Sequence, residues 1–155
     1  MRGKQAPKRK ILNDPKYNSP VVAKLINCVM SDGKKSTSQK VVYAAFDLIE
    51  AKAKKPAIDV FTEAMKNVSP LLEVKSKRVG GANYQIPIQV RAERRNQLAF
   101  RWLLNAARSK KGKPMAVKLS NEILAAAENL GDAVKKKQDV QRMAEANRAF
   151  AHFAR

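Results

Sequence analysis

The side chains of this protein that can do chemistry are overwhelmingly cations: 32 Lys and Arg stand against 13 Asp and Glu, one His and one Cys. A metal centre or an activated nucleophile needs His, Cys and carboxylates gathered closely. Cys28 and His152 lie near opposite ends of the chain. Cys28 sits beside an apolar helical stripe without a partnered base, so it reads as a small packing residue. His152 lies beside Phe150 and Phe153, in an aromatic tail that favours packing or contact over proton transfer. Asp47 and Glu50, three residues apart on a helix, read as a solvated face. Gly80-Gly81 precedes no helix N-terminus and lacks the Walker spacing, so it is not a nucleotide loop. The expectation is no catalytic residue, no metal, no cofactor and no small-molecule substrate. What Lys and Arg can do at this density is displace counterions from phosphates, arginine's planar fork pairing two oxygens at once.

The elements that hold these cations centre on Glu73 to Val90, followed at once by Arg91, Arg94 and Arg95. Here alone the apolar period falls to two: Leu72 and Val74 before the glycines, then Tyr84, Ile86, Ile88 and Val90. Gly80-Gly81 tolerates positive φ and lets the chain reverse. Pro87 has no N–H to donate, which confines its strand to an edge. The result is a two-stranded ribbon carrying Lys75, Lys77 and Arg78, too small to be stable without helices beneath it.

Helical spacing accounts for the rest. Ser19-Pro20 opens a first helix bearing Val21, Val22, Leu25, Ile26, Val29 and Met30, which ends before Asp32-Gly33. Ser36 with Gln39 forms a capping box for a second helix, carrying Val41, Val42, Ala45, Leu48 and Ile49. A third carries Ile58, Phe61, Ala64, Met65 and Val68. A fourth carries Leu98, Ala99, Trp102, Leu103 and Ala106, with Arg94, Arg101 and Arg108 along one edge. A fifth, starting at Met115, is closed by Gly131, and a sixth begins near Asp132 with Lys135-Lys136-Lys137. Residues 149–155 continue it or fray as a tail. The fold class is mainly α: one domain over residues 1–155, a bundle of about six helices, with a protruding antiparallel β-hairpin between the third and fourth. Residues 1–18 form a basic N-terminal arm, loose alone and ordered by phosphates, or else simply solvated.

Composition narrows the partners. The 155 residues suit a single core, and 45% hydrophobic content is that of a globular chain. A net charge of +19 opposes compaction and favours a polyanionic partner, nucleic acid before a membrane. No apolar run reaches the roughly 20 residues that span a bilayer, and no signal-peptide core follows the basic N-terminus. The lone cysteine agrees with a reducing cytoplasm. A membrane-surface protein would concentrate its cations on one amphipathic helix, whereas here they spread over loops, ribbon and several helices. A DNA-bending architectural protein is the alternative, but its arms carry apolar wedges, and Gly80-Gly81-Ala82 is too small for one.

Three strings decide between these. Asp32-Gly33-Lys34-Lys35-Ser36-Thr37, Val74 to Pro87 with its Lys-Ser-Lys-Arg-Val-Gly-Gly core, and Met143 to His152 resemble the bacterial-type protein seven of the small ribosomal subunit. The resemblance runs in order from about Lys8 to the C-terminus. The start, Met1 to Pro7, is less arginine-dense than is usual in the family, and the tail stops at Arg155.

The resemblance implies a primary RNA-binding protein of the small-subunit head, cytoplasmic and ribosome-bound. Such a protein binds the 3′ major domain of 16S ribosomal RNA, nucleates head assembly, and lies at the subunit interface near exit-site tRNA and mRNA. It implies Arg2, Lys4, Lys8, Arg9 and Lys10 as an arm threading between RNA helices. Lys34, Lys35, Lys75, Arg91, Arg94, Arg95, Arg101, Arg108, Lys110, Lys111 and Lys113 become a phosphate clamp around an RNA junction, extended by Lys135, Lys136, Lys137 and Arg142. Lys77, Arg78, Gly80, Gly81 and Tyr84 become the ribbon end facing the exit site. Tyr84 either stacks on an unpaired base or packs against the ribbon's own support. Proteins nine and eleven are the implied neighbours, with Phe150, His152 and Phe153 on the protein-contact side.

Overall fold

Proline at the first helical position needs no N–H partner, and Pro20 starts α1 (Pro20–Val29) directly after Ser19. The computed structural model describes Gly3, Ala6 and residues 11–154. The arm cations Arg2, Lys4, Lys8, Arg9 and Lys10, and the final Arg155, lie outside the described residues. After α1 come α2 (Lys35–Ala53), α3 (Ala57–Val68), β1 (Leu72–Val79), β2 (Ala82–Gln89), α4 (Ala92–Ser109), α5 (Met115–Ala127) and α6 (Asp132–Ala146). A 3₁₀ segment, Arg148–Ala154, closes the described chain. The mainly helical class and the hairpin between the third and fourth helices are as expected from the apolar periods.

The strands pair antiparallel in one two-stranded sheet, from Leu72 opposite Gln89 to Val79 opposite Ala82. That register leaves Gly80 and Gly81 as the two loop residues, at φ 56° and 90°. Both values are positive, as a primed two-residue turn demands, and its twist matches the strands it joins.

Helix α4 is the axis of the bundle. Leu98, Ala99, Phe100, Trp102, Leu103, Leu104, Ala106 and Ala107 are all buried, so most of its circumference faces protein. It packs against α1, α3, α5 and α6, while α5 also packs on α2 and α3. Val22, Leu25 and Ile26 of α1, Phe46 and Ile49 of α2, and Phe61 of α3 fill the same core. The Phe46 and Phe61 rings meet at 5.4 Å between centroids and Tyr17 meets Phe46 edge-on at 5.1 Å. Aromatic contacts of this kind add about 0.5–1.5 kcal/mol each beyond the area they bury.

Three local expectations are corrected. Ser36 and Gln39 make no capping box, because α2 already starts at Lys35 and has no side-chain cap. Gln39 instead donates to the Tyr43 hydroxyl at 2.7 Å, and that hydroxyl donates to buried Asp14 at 2.8 Å. Gly131 does not close α5. Asn129 is the left-handed residue there, at φ 58°, and the Leu130 N–H closes onto the Ala125 carbonyl at 2.8 Å. Gly131 stands at the entrance of α6 instead. Residues 148–154 neither extend α6 nor fray; they wind as 3₁₀ and pack on β2.

Candidate nucleic-acid interface

A helix buried on nearly every side has one stripe left for solvent, and on α4 that stripe is Gln97, Arg101, Asn105 and Arg108, all exposed. Arg94, half-buried, begins the same edge. The seven-residue spacing of Arg94, Arg101 and Arg108 thus becomes a line of positive charge along the central helix.

At the N-terminal end of that line the ribbon joins in. Lys75 of β1, Ile88 and Gln89 of β2, and Arg91 and Arg94 surround an open recess of about 460 Å3 together with Glu73. The largely buried Glu73 carboxylate meets Arg94 Nε at 3.3 Å and Lys75 Nζ at 3.8 Å. One carboxylate orients Arg94 and Lys75, and with Arg91 beside them the recess keeps a positive balance. Such a recess has the charge and fork geometry to hold phosphate oxygens.

At the other end lie the basic loop and α6. Lys111 and Lys113 are exposed between α4 and α5. Lys136 faces Arg101 across a groove between α6 and α4. Lys135 is exposed and lies 3.8 Å from Asp132, and Arg142 is exposed farther along α6. Lys34 and Lys35, also exposed, stand at the start of α2.

Some cations named from the sequence are engaged within the protein. Lys110 pairs with Glu122, a carboxylate with no exposed surface. Lys137 donates to the Asn67 carbonyl at 2.8 Å, tying α6 to α3. Arg95 turns away from Arg94: its Nε donates to the Val90 carbonyl at 3.0 Å, and it lines an apolar groove with Val21, Ile58 and Phe61.

The ribbon end divides in the same way. Arg78, Gly80 and Gly81 are exposed. Lys77 is exposed too, and its Nζ donates to the Phe153 carbonyl at 2.9 Å. Tyr84, left open between a nucleobase and the protein, packs against Phe150 at 5.1 Å and Phe153 at 5.4 Å. His152 stays exposed, 4.0 Å from the Phe153 ring, with Nδ1 2.8 Å from the Ala149 carbonyl. Two aromatic contacts hold the 3₁₀ segment on the ribbon, so Tyr84→Ala should raise amide exchange across residues 148–154 roughly tenfold. Unchanged protection there in exchange mass spectrometry would mean that α6 and the Lys77 hydrogen bond suffice to hold the segment.

The family model described as ribosomal protein S7p/S5e matches residues 1–148. The chain belongs to that family. It is 58% identical over 153 residues to the small ribosomal subunit protein uS7 of Thermotoga neapolitana, covering 99% of each chain. The uS7 protein of Thermotoga maritima gives the same figures. That of Polynucleobacter necessarius is 55% identical over 152 residues, with 98% of this chain and 97% of the relative covered. The S7p/S5e family is one of ribosomal structural proteins, not of enzymes. No His/Cys/Asp/Glu cluster able to hold a metal occurs among the described residues. No helix among them is long and apolar enough to cross a membrane.

Reading the S7p/S5e sequence for charge alone misses the residues that place the charges. Glu122 accepts from the Ala133 N–H at 3.0 Å while pairing Lys110, so it joins the basic loop to the start of α6. Its signal was available: Leu119, Glu122, Ile123 and Ala126 share one helical face, and a carboxylate there needs partners. Asp14 accepts from the Lys16 and Tyr17 N–H groups, each at 3.1 Å, and from Tyr43. It fixes the turn before α1. Asn13-Asp14-Pro15 is a local turn signal, but nothing in it points to the anchor on α2.

Proposed function

We propose that this chain is a structural component of the small ribosomal subunit that binds the 3′ major domain of 16S ribosomal RNA and nucleates folding of the subunit head. The observation that carries this reading is the single solvent stripe of α4, cationic along its length and continuous with the Lys75–Arg91–Arg94 recess at the ribbon base. Cations on a rigid helix and a braced ribbon match a folded RNA junction better than a flexible tail could. Affinity then comes from released counterions, and selectivity from junction shape, 2′-hydroxyls and unstacked bases.

In this reading the ribbon end, with Lys77, Arg78, Gly80, Gly81 and Tyr84, faces exit-site tRNA and mRNA at the subunit interface. Protein nine is a neighbour in the head. Protein eleven is met by the C-terminal segment carrying Phe150, His152 and Phe153. Lys34 and Lys35, the basic loop and α6 extend the grip around the RNA, and the arm cations thread beyond it.

Two experiments test this. The tagged chain should co-purify with intact small subunits at stoichiometry; recovery with duplex DNA instead would favour an architectural DNA protein. Arg91→Ala with Arg94→Ala should weaken binding to a head-domain RNA fragment and flatten the log–log salt slope by about two, roughly one per phosphate contact. Lys54→Ala with Lys55→Ala, at the far end of α2, should leave the slope unchanged. Equal losses from the two pairs would put the RNA on another face.

A further inference from the structure

A groove of about 460 Å3 runs between the solvent stripe of α4 and the first turns of α6, bordered by Arg101, Trp102, Asn105, Ser109, Asp132 and Lys136. Its floor is apolar: Trp102 and Ala106 line it, 9% and 8% exposed in the chain as it stands. Its rim is cationic. Arg101 and Lys136 come from different helices, and neither makes an ion pair among the described residues. Its acceptors are Asp132 and Ser109. The Asp132 carboxylate is half-exposed, 3.8 Å from Lys135, and the Ser109 hydroxyl donates to the Ala106 carbonyl at 2.8 Å, which leaves its lone pairs available.

No simple ligand suits all of these groups. A bare phosphate has no use for an indole floor and is repelled by Asp132. An apolar peptide leaves the rim cations unanswered. A nucleotide answers each of them: the base lies against Trp102 and Ala106, its edge donors reach Asp132 and Ser109, and its flanking phosphates meet Arg101 and Lys136. The base meets only the small part of the indole left open to solvent, and carboxylates accept from exocyclic amino groups. Guanine offers two adjacent donors on its Watson–Crick edge, N1–H and the 2-amino group, a match for an acceptor-only carboxylate. Building on the RNA-binding reading above, we propose that this groove seats one unpaired base of the bound RNA, with guanine preferred.

Trp102 is the only tryptophan in the chain, so its emission reports on this groove alone. The full chain should be titrated with two fluorescently labelled single strands, a uridine oligomer and the same oligomer carrying one central guanosine. Anisotropy gives affinity, and tryptophan emission gives groove occupancy. The guanosine strand should bind about tenfold tighter and quench Trp102, within the discrimination that a good paired contact provides. Asp132→Asn should remove most of that preference, while Lys136→Ala should weaken both strands without changing their ratio. Circular dichroism of both variants checks that the helices persist. Equal binding with unaltered tryptophan emission overturns the groove assignment and leaves RNA binding standing. Failure to bind either strand or the head-domain fragment overturns both.

Discussion

Raising monovalent salt from about 50 to about 200 mM should lower the affinity of this chain for a head-domain RNA fragment by about a thousandfold to a hundred-thousandfold, if the proposed binding holds. The size follows from the number of phosphates neutralised. Lys75, Arg91, Arg94, Arg101, Arg108, Lys111, Lys113 and Lys136 line the ribbon base, the α4 stripe and the adjoining loop and helix. Contacts by about six to ten such cations return a log–log slope of about −5 to −9. Lys110, Lys137 and Arg95 are left out of this set, since each is tied to a partner of its own within the protein, whereas Lys75 and Arg94 share the single Glu73 carboxylate and stay in it. A +19 chain also repels itself, so RNA relieves a cost that salt would otherwise screen. Filter binding over a salt series measures the slope. A flat response would sink the electrostatic account, because hydrophobic or base-only recognition changes little over this range.

Glu122→Ala is expected to cost about 2–3 kcal/mol of stability. A buried carboxylate that loses its partner, or leaves one behind, typically costs about 3–5 kcal/mol. The lower figure reflects Lys110, which is 39% exposed and can turn to water when its partner goes. What cannot be replaced is the acceptor for the Ala133 N–H at the start of α6, where the buried amide would be left without a protein partner. For a chain of this length the loss corresponds to a fall in Tm of roughly 5–10 °C. Glu122→Gln, which retains an acceptor for Ala133, should lose about half as much. Gly131→Ala strikes the same knot from outside. A Cβ there would stand 2.9 Å from Glu122 Oε1 on a backbone at φ 92°. Urea unfolding of the three variants measures these effects. If Glu122→Ala matched the wild-type midpoint, solvent would have to reach the α6 amide in a way the structure does not show.

The elements were legible because their signals are local. Alternation at Tyr84, Ile86, Ile88 and Val90 gave the strand, the glycine pair gave the reversal, and i, i+3, i+4 stripes gave the helices. The cationic edge of α4 followed from spacing alone, and the structure places Arg101 and Arg108 on that helix's only wet stripe. Less was legible where a side chain's fate depends on a distant neighbour. Arg94 reaches Glu73 on the far strand of the ribbon while adjacent Arg95 turns back to the Val90 carbonyl, and charge spacing alone does not separate the two. Lys110 reads as one more loop cation until Glu122 is found beneath it. The helix ends failed for a related reason. Ser36–Gln39 and Gly131 carry the right residue types for caps, but packing chose Lys35 as the start of α2 and Asn129 as the turn after α5.

The seat of Tyr84 between Phe150 and Phe153 orders events during synthesis. The ribbon is complete in sequence by Gln89, yet the residues that cover its inner ring and take up Lys77 are made well after it. A chain halted before residue 148 would therefore carry the Tyr84 ring open to water, with α6 alone packed on the ribbon. Until residues 148–154 have been made that ring has no aromatic cover, so a product cut short before them is marked by its own hairpin as unfinished.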